Sequence, residues 1–374
     1  MDHFSEFRAA YENRHGIAKD WKQDGKKVFG YIYSGVPEEL MYAAGVLPVQ
    51  LMESDEDTVQ KGETILPIFV CDYCQSALGQ ALTGEYDYLD GLVVTDACAN
   101  ARTLVRAWEV HGKTPYLYYF NPPFFKTPEG RRYYARELVR FRESIEAFCD
   151  VQITNEAIGS AIETYNENRR LIRELYELRS RNGVSLSGSR ILEVLRAGLV
   201  LPKEAHNRML GKLLRELPHE EKRQEGGIPV FLSMLIFEHC MTADFNLMEM
   251  IEELGGLVAM DDVWMGPRYY SEPVEPGPDP MKALVERYLG NVPSGYRYPL
   301  KPRLDWICDQ LDRYKIKGAV FVVPKYCHPY LFEYPYIDRE LKKRGIATLF
   351  LETEGSMPRE TVRVRLQAFM ELLG

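Results

Sequence analysis

Residues 27–53, KVFGYIYSGVPEELMYAAGVLPVQLME, decide the fold class of this chain. KVFGYIYSG is an apolar and aromatic run that is typical of a buried strand. PEELMYAAG follows, with Pro37 at the first helical position and with Glu38 and Glu39 in the first turn, as expected where a helix begins. VLPVQLME then has the composition of a short strand. This strand–helix–strand order indicates a parallel sheet that is covered by helices.

The same alternation extends outward from this stretch and returns near the C-terminus. YLDGLVVTDACANARTLVRAWEV and YLYYFN continue it, whereas charged residues and leucines recur at helical spacing in the middle of the chain. IPVFLSMLIF, LMEMIEELGG, AVFVVPKYC and IATLFLETE then repeat the alternation. We therefore predict an α/β protein with two doubly wound, Rossmann- or flavodoxin-like parallel-sheet domains, at residues 1–126 and 227–374, and an intervening helical region at 127–226.

Length, composition and charge limit the class of protein. A chain of 374 residues exceeds one ordinary core, and 45% hydrophobic with 27% charged residues is typical of a soluble globular protein. A formal charge of -9 argues against nonspecific nucleic-acid binding. The N-terminus is polar, and no apolar stretch reaches the roughly 20 residues that cross a bilayer. We expect a cytoplasmic protein whose seven cysteines are free, metal-bound or catalytic rather than disulfide-paired.

Three cysteines share one local setting. Cys71 follows ILPIFV and Cys98 follows GLVVTDA, each before a helix-like segment, and Cys327 closes GAVFVV after a short loop. Ligands of open α/β sheets bind outside the carboxyl ends of the strands, so three thiols at strand ends are expected to converge on one composite site. A helix N-terminus favours the thiolate that binds metal. Iron-sulfur clusters usually take four cysteines, so three would leave one iron open.

Simpler interpretations of the cysteines stay open. Free cysteine is often a small buried apolar side chain, and this is our interpretation of Cys149, Cys240 and Cys308. If the other cysteines are also only buried side chains, the chain would be a metal-free, two-lobed ligand-binding protein. CDYC at residues 71–74 also matches the C-x-x-C pattern of a redox pair, and the role of Cys74 stays open. No G-x-G-x-x-G follows the first strand and no phosphate loop carries its lysine, so we expect this chain to bind neither NAD nor ATP.

Polar residues near the strand ends are candidates for proton transfer and substrate contact. Tyr33, Ser34 and Glu38 lie where the first strand enters its helix, and His328 directly follows Cys327. Ser34, Glu38 and His328 are candidate catalytic groups that would supply a proton, and Tyr33 is a candidate substrate contact. Glu38 is equally expected as an ordinary partner of the helix dipole. His328 is equally expected as a solvated loop residue.

Over nearly its whole length the sequence resembles the family of 2-hydroxyacyl-CoA dehydratases and ATP-dependent benzoyl-CoA reductases. The resemblance rests on GYIYSGVPEELMYAAGVLPV, FVCDYCQSALG, LDGLVVTDACANAR, YNENRRLIRELYELR, LRAGLVLP and GAVFVVPKYCHPYLFEYPYIDRELKKRGIATLFLETE. It implies that Cys71, Cys98 and Cys327 bind a [4Fe-4S] cluster with one open iron site. Ala99 and His328 stand where the family commonly has aspartate, so the acyl group stays open.

The helical middle segment is most similar to the smaller substrate-binding subunit, of gamma or C type, of benzoyl-CoA reductase. The resemblance therefore implies an enzyme subunit that reduces an aromatic acyl-CoA through radical intermediates. It further implies a paralogous partner in a heterodimer and an ATP-hydrolysing iron-sulfur activator or other electron-donating subunits, without nucleic-acid or membrane partners. The alternative is a subunit of a 2-hydroxyacyl-CoA dehydratase, which eliminates water by a radical route. The chain would accordingly be an oxidoreductase or a lyase.

Overall fold

Two four-stranded parallel sheets with helices between and around them form the structure, which is a computed structural model. The residues that it describes are 3–33, 35–180, 186–217, 227–234, 241–242, 245–263, 266–290, 294–353 and 359–374. The predicted fold class, α/β with two doubly wound parallel sheets and a helical segment between them, is confirmed.

The strands fall into the two parallel sheets and one short ribbon. In chain order they are β1 (Val28–Ile32), β2 (Leu47–Gln50), β3 (Gly91–Thr95), β4 (Tyr116–Phe120), β5 (Ile228–Met234), β6 (Met241–Thr242), β7 (Phe245–Asn246), β8 (Gly256–Asp261), β9 (Gly318–Pro324) and β10 (Ala347–Thr353). The first sheet has the order β2-β1-β3-β4 and the second has the order β10-β9-β5-β8, whereas β6 and β7 pair with each other in antiparallel fashion.

Helices cover the sheets and form the middle of the chain. In chain order they are α1 (Ser5–Glu12), α2 (Arg14–Gln23), α3 (Glu38–Ala43), α4 (Glu56–Glu63), α5 (Asp72–Thr83), α6 (Ala99–His111), α7 (Pro128–Cys149), α8 (Asn155–Ser180), α9 (Gly188–Gly198), α10 (Lys203–Glu216), α11 (Leu247–Glu253), α12 (Pro267–Tyr270), α13 (Pro280–Gly290), α14 (Lys301–Arg313), α15 (His328–Lys343) and α16 (Arg359–Leu373). Among them α7, α8, α9 and α10 make up the helical middle segment that the sequence predicts.

The two sheets share one topology, which decides where ligands can bind. In each sheet the first strand along the chain lies between the second and the third, so the chain changes direction between β1 and β3 and again between β5 and β9. Open α/β sheets bind ligands at this point, beyond the carboxyl ends of the strands. Cys98 lies three residues after the end of β3, and Cys327 lies three residues after the end of β9.

The central strands are buried on both faces. β1, β3 and β9 are buried along their whole lengths, as expected where helices cover both sides of a parallel sheet, and the edge strand β4 is half-buried in its middle. The largest hydrophobic cluster includes side chains of both sheets, such as Val94 and Val322. Cys71 is part of this cluster and Cys98 and Cys327 pack against it. The three cysteines therefore lie at the shared core of the two sheets.

The segment before Cys71 corrects one expectation. The run ILPIFV, residues 65–70, forms turns rather than a strand, and its side chains Ile68 and Phe69 are 74% and 56% exposed. Its backbone groups instead bond locally, since the Leu66 N–H donates to the carbonyl oxygen of Gly62 and the Val70 N–H donates to that of Pro67. The run instead connects α4 to α5. Cys71 is therefore positioned by a helix pair rather than by the end of a strand.

The helix pair α4 and α5 packs with its backbones in close approach. A Cβ atom at Gly79 would overlap the carbonyl oxygen of Thr58, and a Cβ atom at Gly62 would overlap the carbonyl oxygen of Gln75. Only glycine leaves room for backbone against backbone at these two positions. Because α5 begins next to Cys71, this contact fixes the place of that cysteine.

No helix in the described part of the chain is long and apolar enough to cross a membrane.

Candidate functional site

Cys71, Cys98 and Cys327 occupy equivalent positions in three helices. Each is the N-cap residue, of α5, α6 and α15 respectively, so each thiol lies at the positive end of a helix dipole. The backbone N–H of the third helical residue approaches each sulfur and favours its thiolate form, although none of the three closes a full capping hydrogen bond. This setting supports the ionised sulfur that binds metals.

The three thiols influence one another's ionisation. The pKa of Cys71 is lowered to about 7, chiefly because the Cys74 thiol donates a hydrogen bond to its sulfur. Burial raises the pKa of Cys98, and a negative charge on Cys71 raises it further. Burial likewise raises the pKa of Cys327, and the charges of both other cysteines add to that effect. The three sulfurs therefore share one electrostatic environment, in which a cationic group would relieve the repulsion between thiolates.

Tyr33 connects two of the cysteine segments. Its hydroxyl oxygen lies 3.2 Å from Sγ of Cys74 and 3.8 Å from Sγ of Cys98, and its ring is buried. Its backbone has φ +69°, in the left-handed region that residues other than glycine rarely adopt. Tyr326, next to Cys327, has φ +65°. Backbone outliers of this kind concentrate at functional sites, and these two flank the cysteines.

Asn100 is a member of the site that sequence reasoning did not single out. It is 4% exposed and is the second residue of α6. Its side-chain amide donates to the carbonyl oxygen of Tyr326 over 3.4 Å and helps to lower the pKa of the nearby Cys71 thiol. The only sequence signal is its position two residues after Cys98, which by itself does not distinguish it from an ordinary helix residue.

The described contacts of Glu38 and His328 are with groups other than the cysteine sulfurs. Glu38 points into a buried cluster of charges, where its Oε2 lies 3.4 Å from Nζ of Lys203 and accepts a hydrogen bond of 3.3 Å from the Tyr165 hydroxyl. His328 is exposed at the first position of α15, and its ring stacks on that of Phe332 with 6.2 Å between centroids. Ser34 lies outside the described residues, and so does Cys240.

The cluster around Glu38 joins α3 to the helical middle segment. Burial raises the pKa of Glu38 and lowers the pKa of Lys203. The neighbouring Glu39 accepts hydrogen bonds from Arg169, at 2.5 Å, and from the Tyr288 hydroxyl, at 2.7 Å. Glu39 and Arg169 are 0% exposed. The sequence suggests ordinary first-turn carboxylates here, whereas the structure gives both glutamates buried cationic partners.

A second buried charge cluster holds the helix that begins at Cys327. The Asp262 carboxylate, just after β8, forms ion pairs with Arg268 and Arg303 at N···O distances of 2.6 Å each, and Arg303 also donates to Glu333 at 2.8 Å. These four side chains are at most 7% exposed. Because Glu333 lies on α15, the cluster fixes the direction of that helix and hence the position of its N-cap, Cys327. Sequence reasoning missed it because its members come from four separate segments.

Within the described ranges, no three or more His, Cys, Asp or Glu side chains are close enough together to hold one metal ion. A single tetrahedral ion with metal–sulfur bonds of about 2.3 Å needs its sulfurs about 4 Å apart. A cluster of several irons holds its thiolates on different atoms and does not require that spacing.

Comparisons with known proteins agree over most of the chain. The family model described as 2-hydroxyglutaryl-CoA dehydratase, D-component, matches residues 33–373. The C-type subunit of benzoyl-CoA reductase from Thauera aromatica is 29% identical over 350 residues, 91% of this chain and 90% of the relative. The (R)-phenyllactyl-CoA dehydratase beta subunit of Clostridium sporogenes is 26% identical over 373 residues, 99% and 98% of the two chains. The beta subunit of (R)-2-hydroxyglutaryl-CoA dehydratase from Acidaminococcus fermentans is 23% identical over 377 residues, 98% of each. The matches thus extend over both sheets and the helical middle segment.

Proposed function

This chain belongs to the 2-hydroxyglutaryl-CoA dehydratase D-component family, and from this premise we propose that it is the iron-sulfur subunit of an ATP-dependent benzoyl-CoA reductase. In this role it binds an aromatic acyl-CoA and reduces it through radical intermediates, with electrons from an ATP-hydrolysing activator. A paralogous subunit is its partner in a heterodimer. The observation that carries the proposal is the placement of three cysteine thiols at three helix N-termini around one shared core.

A [4Fe-4S] cluster fits the chemistry of this donor set. Cys71, Cys98 and Cys327 would hold it through three thiolates, which leaves one iron open. The fit rests on the three N-cap positions around one shared core and on the Asn100 amide near the Cys71 sulfur. When bound, such a cluster supplies one electron at a time and offers its open iron to an oxygen ligand.

The residues of the chain itself keep water from the site and bind the substrate. Cys71 and Tyr33 are 5% and 7% exposed, whereas Cys98 and Cys327 are half-buried, so the side of the site at Cys71 is shielded from solvent that would quench a radical. We assign Tyr33 to substrate contact, because its hydroxyl lies beside the sulfurs. We also propose His328 as a proton donor because it directly follows Cys327, and Ser34 because it follows β1. Glu38 is assigned to holding a proton, because burial raises the pKa of its carboxyl group.

Reduction of an aromatic acyl-CoA is favoured over dehydration by one comparison. Identity to the reductase subunit is 29%, against 26% and 23% to two dehydratase subunits. The second candidate function is that of a 2-hydroxyacyl-CoA dehydratase subunit, in which the electron is returned after water leaves. The family description and the 99% coverage of this chain by the phenyllactyl-CoA dehydratase subunit support that candidate.

Iron analysis tests the cluster. Chain purified without oxygen is expected to hold about four irons and four sulfides, and single substitutions Cys71→Ala, Cys98→Ala and Cys327→Ala are expected to lose them. The matched control is Cys308→Ala, because Cys308 is 4% exposed but lies in α14, away from the helix N-termini. A wild-type chain without iron would favour a metal-free ligand-binding protein.

Substrate assays separate the two enzymatic functions. The chain is combined with its paralogous subunit, an ATP-hydrolysing activator and a strong reductant, and is supplied with benzoyl-CoA or with a 2-hydroxyacyl-CoA. Consumption of reductant in proportion to benzoyl-CoA supports the reductase. Turnover of the 2-hydroxyacyl-CoA with only catalytic amounts of reductant supports the dehydratase instead.

A further inference from the structure

We propose that Asn100 is a positioning residue whose carboxamide holds the three cysteine segments together and donates a hydrogen bond to the Cys71 thiolate. The inference rests on the proposed function, because it concerns the same cysteine site. It adds to that function a residue that binds no metal and controls both the geometry and the electron affinity of the cluster.

Asn100 contacts all three cysteine segments at once. Its backbone N–H approaches the sulfur of Cys98, two residues before it. Its side-chain amide lies near the sulfur of Cys71. The same amide nitrogen lies 3.4 Å from the carbonyl oxygen of Tyr326, the residue before Cys327. One buried residue therefore reaches the segments that contribute each of the three thiols.

The contact with Tyr326 joins the two sheets. Asn100 belongs to the helix that follows β3 of the first sheet, and Tyr326 belongs to the loop that follows β9 of the second, 226 residues further along the chain. The left-handed backbone of Tyr326, with φ +65°, needs support from its surroundings. The Asn100 amide provides such support, so it holds the Cys327 loop against the half of the molecule that carries the other two cysteines.

The chemistry of the side chain is specific to an amide. Asparagine offers two N–H donors, one for a sulfur and one for a carbonyl oxygen, and aspartate offers none when ionised. A carboxylate of the same shape would place a negative charge beside a thiolate and opposite a carbonyl oxygen. A hydrogen bond to a ligand sulfur also stabilises the extra negative charge of a reduced cluster, which raises its reduction potential. Loss of the donor therefore lowers the potential, and a carboxylate lowers it further.

The test compares Asn100→Ala and Asn100→Asp with a matched control. Asn166→Ala is the control because Asn166 also bridges distant segments, with its amide 2.8 Å from the carbonyl oxygen of Val274, but it lies in α8. Redox titration followed by electron paramagnetic resonance gives the midpoint potential, and iron analysis gives cluster content. We expect the potential to fall in the order wild type, Asn100→Ala, Asn100→Asp, with iron retained least by Asn100→Asp. Potentials and iron contents equal to those of Asn166→Ala would overturn the inference.

A second measurement separates this inference from the proposed function. If wild-type chain holds no iron, the proposed function fails, and the bridge is then examined in cluster-free protein by amide hydrogen exchange. Loss of one hydrogen bond of about 1 kcal/mol is expected to speed exchange of residues 325–331 by about fivefold in Asn100→Ala. Exchange there at the wild-type rate would show that Asn100 does not hold this loop. The same measurement applies if the Asn100 variants fold but assemble no cluster.

Discussion

Substitution of Gly79 by alanine is expected to damage the cysteine site from a distance. Gly79 lies on α5 against α4, and a Cβ atom there would approach the Thr58 carbonyl oxygen far more closely than the 3.0 Å that real Cβ atoms keep. The obstacle is helix backbone, which cannot rotate away as a side chain can. The two helices must therefore separate, and α5 carries Cys71 at its N-terminus.

The size of the effect follows from two opposing terms. Overpacking of a tight contact costs about 1–3 kcal/mol, and a clash with backbone lies at the upper end. Alanine in place of glycine inside a helix returns about 1 kcal/mol. The free energy of unfolding is therefore expected to fall by about 2 kcal/mol in Gly79→Ala. Gly159→Ala is the matched control, because Gly159 lies inside α8 with no atom within 4 Å of its Cβ position apart from the local backbone of the helix, so this variant should gain up to about 1 kcal/mol.

Urea unfolding followed by circular dichroism measures both variants, and iron analysis after anaerobic purification measures the site. Gly79→Ala is expected to lose stability and to bind less iron, whereas Gly159→Ala should keep both. A Gly79→Ala chain as stable as Gly159→Ala would refute the argument that the two backbones are in contact. Reduced stability with full iron content would show instead that the helix pair does not position Cys71.

Three further substitutions test other parts of the structure. Burial lowers the pKa of His206 from 6.5 to about 3, so its contribution to stability is full above pH 6.5 and is lost as the pH falls toward 3. Between pH 7.5 and pH 5, the free energy of unfolding measured in urea should fall by about 2 kcal/mol more for the wild type than for His206→Gln. Equal losses in the two proteins would contradict this. Arg303→Met leaves Asp262 and Glu333 each without one buried cationic partner, which should lower the free energy of unfolding by about 3–5 kcal/mol in the same assay. A variant of wild-type stability would show that this buried charge cluster does not hold α15. Tyr33→Phe removes one buried hydroxyl and should lower the free energy of unfolding by about 1 kcal/mol. Iron content should stay constant because the tyrosine is not an iron ligand. Loss of iron would argue against its assignment as a residue that binds no metal.

The alternation of strands and helices could be predicted because local pattern determines it. Buried parallel strands are continuous apolar runs, and GLVVT and GAVFVVP form β3 and β9 where the sequence indicates strands. Residues 65–70 show the limit of such a pattern. ILPIFV has the composition of a strand, but hydrogen-bond partners decide whether a strand forms, and here Leu66 and Val70 donate to carbonyl oxygens three or four residues earlier instead of to a neighbouring strand.

The polar contacts of the site could not be predicted from the sequence in the same way. Asn100 and Tyr326 are 226 residues apart, and neither has a local signal for their contact. Glu38 and Glu39 satisfy the pattern of a helix N-terminus, yet their burial against Lys203 and Arg169 depends on how the helical middle segment packs on α3. Local pattern thus indicates which polar residues lie at the start of a helix, and tertiary packing decides which of them come into contact.

The division of the thiols between the two sheets has a consequence for biosynthesis. Cys71 and Cys98 leave the ribosome early, but Cys327 follows Cys98 by 229 residues, which at 5–20 residues per second takes about 10–50 s. During that interval the first half can fold around two thiols whose third companion has not yet been made. Delivery of iron and sulfide to a nascent chain would therefore be premature, so we expect cofactor insertion to follow completion of the polypeptide.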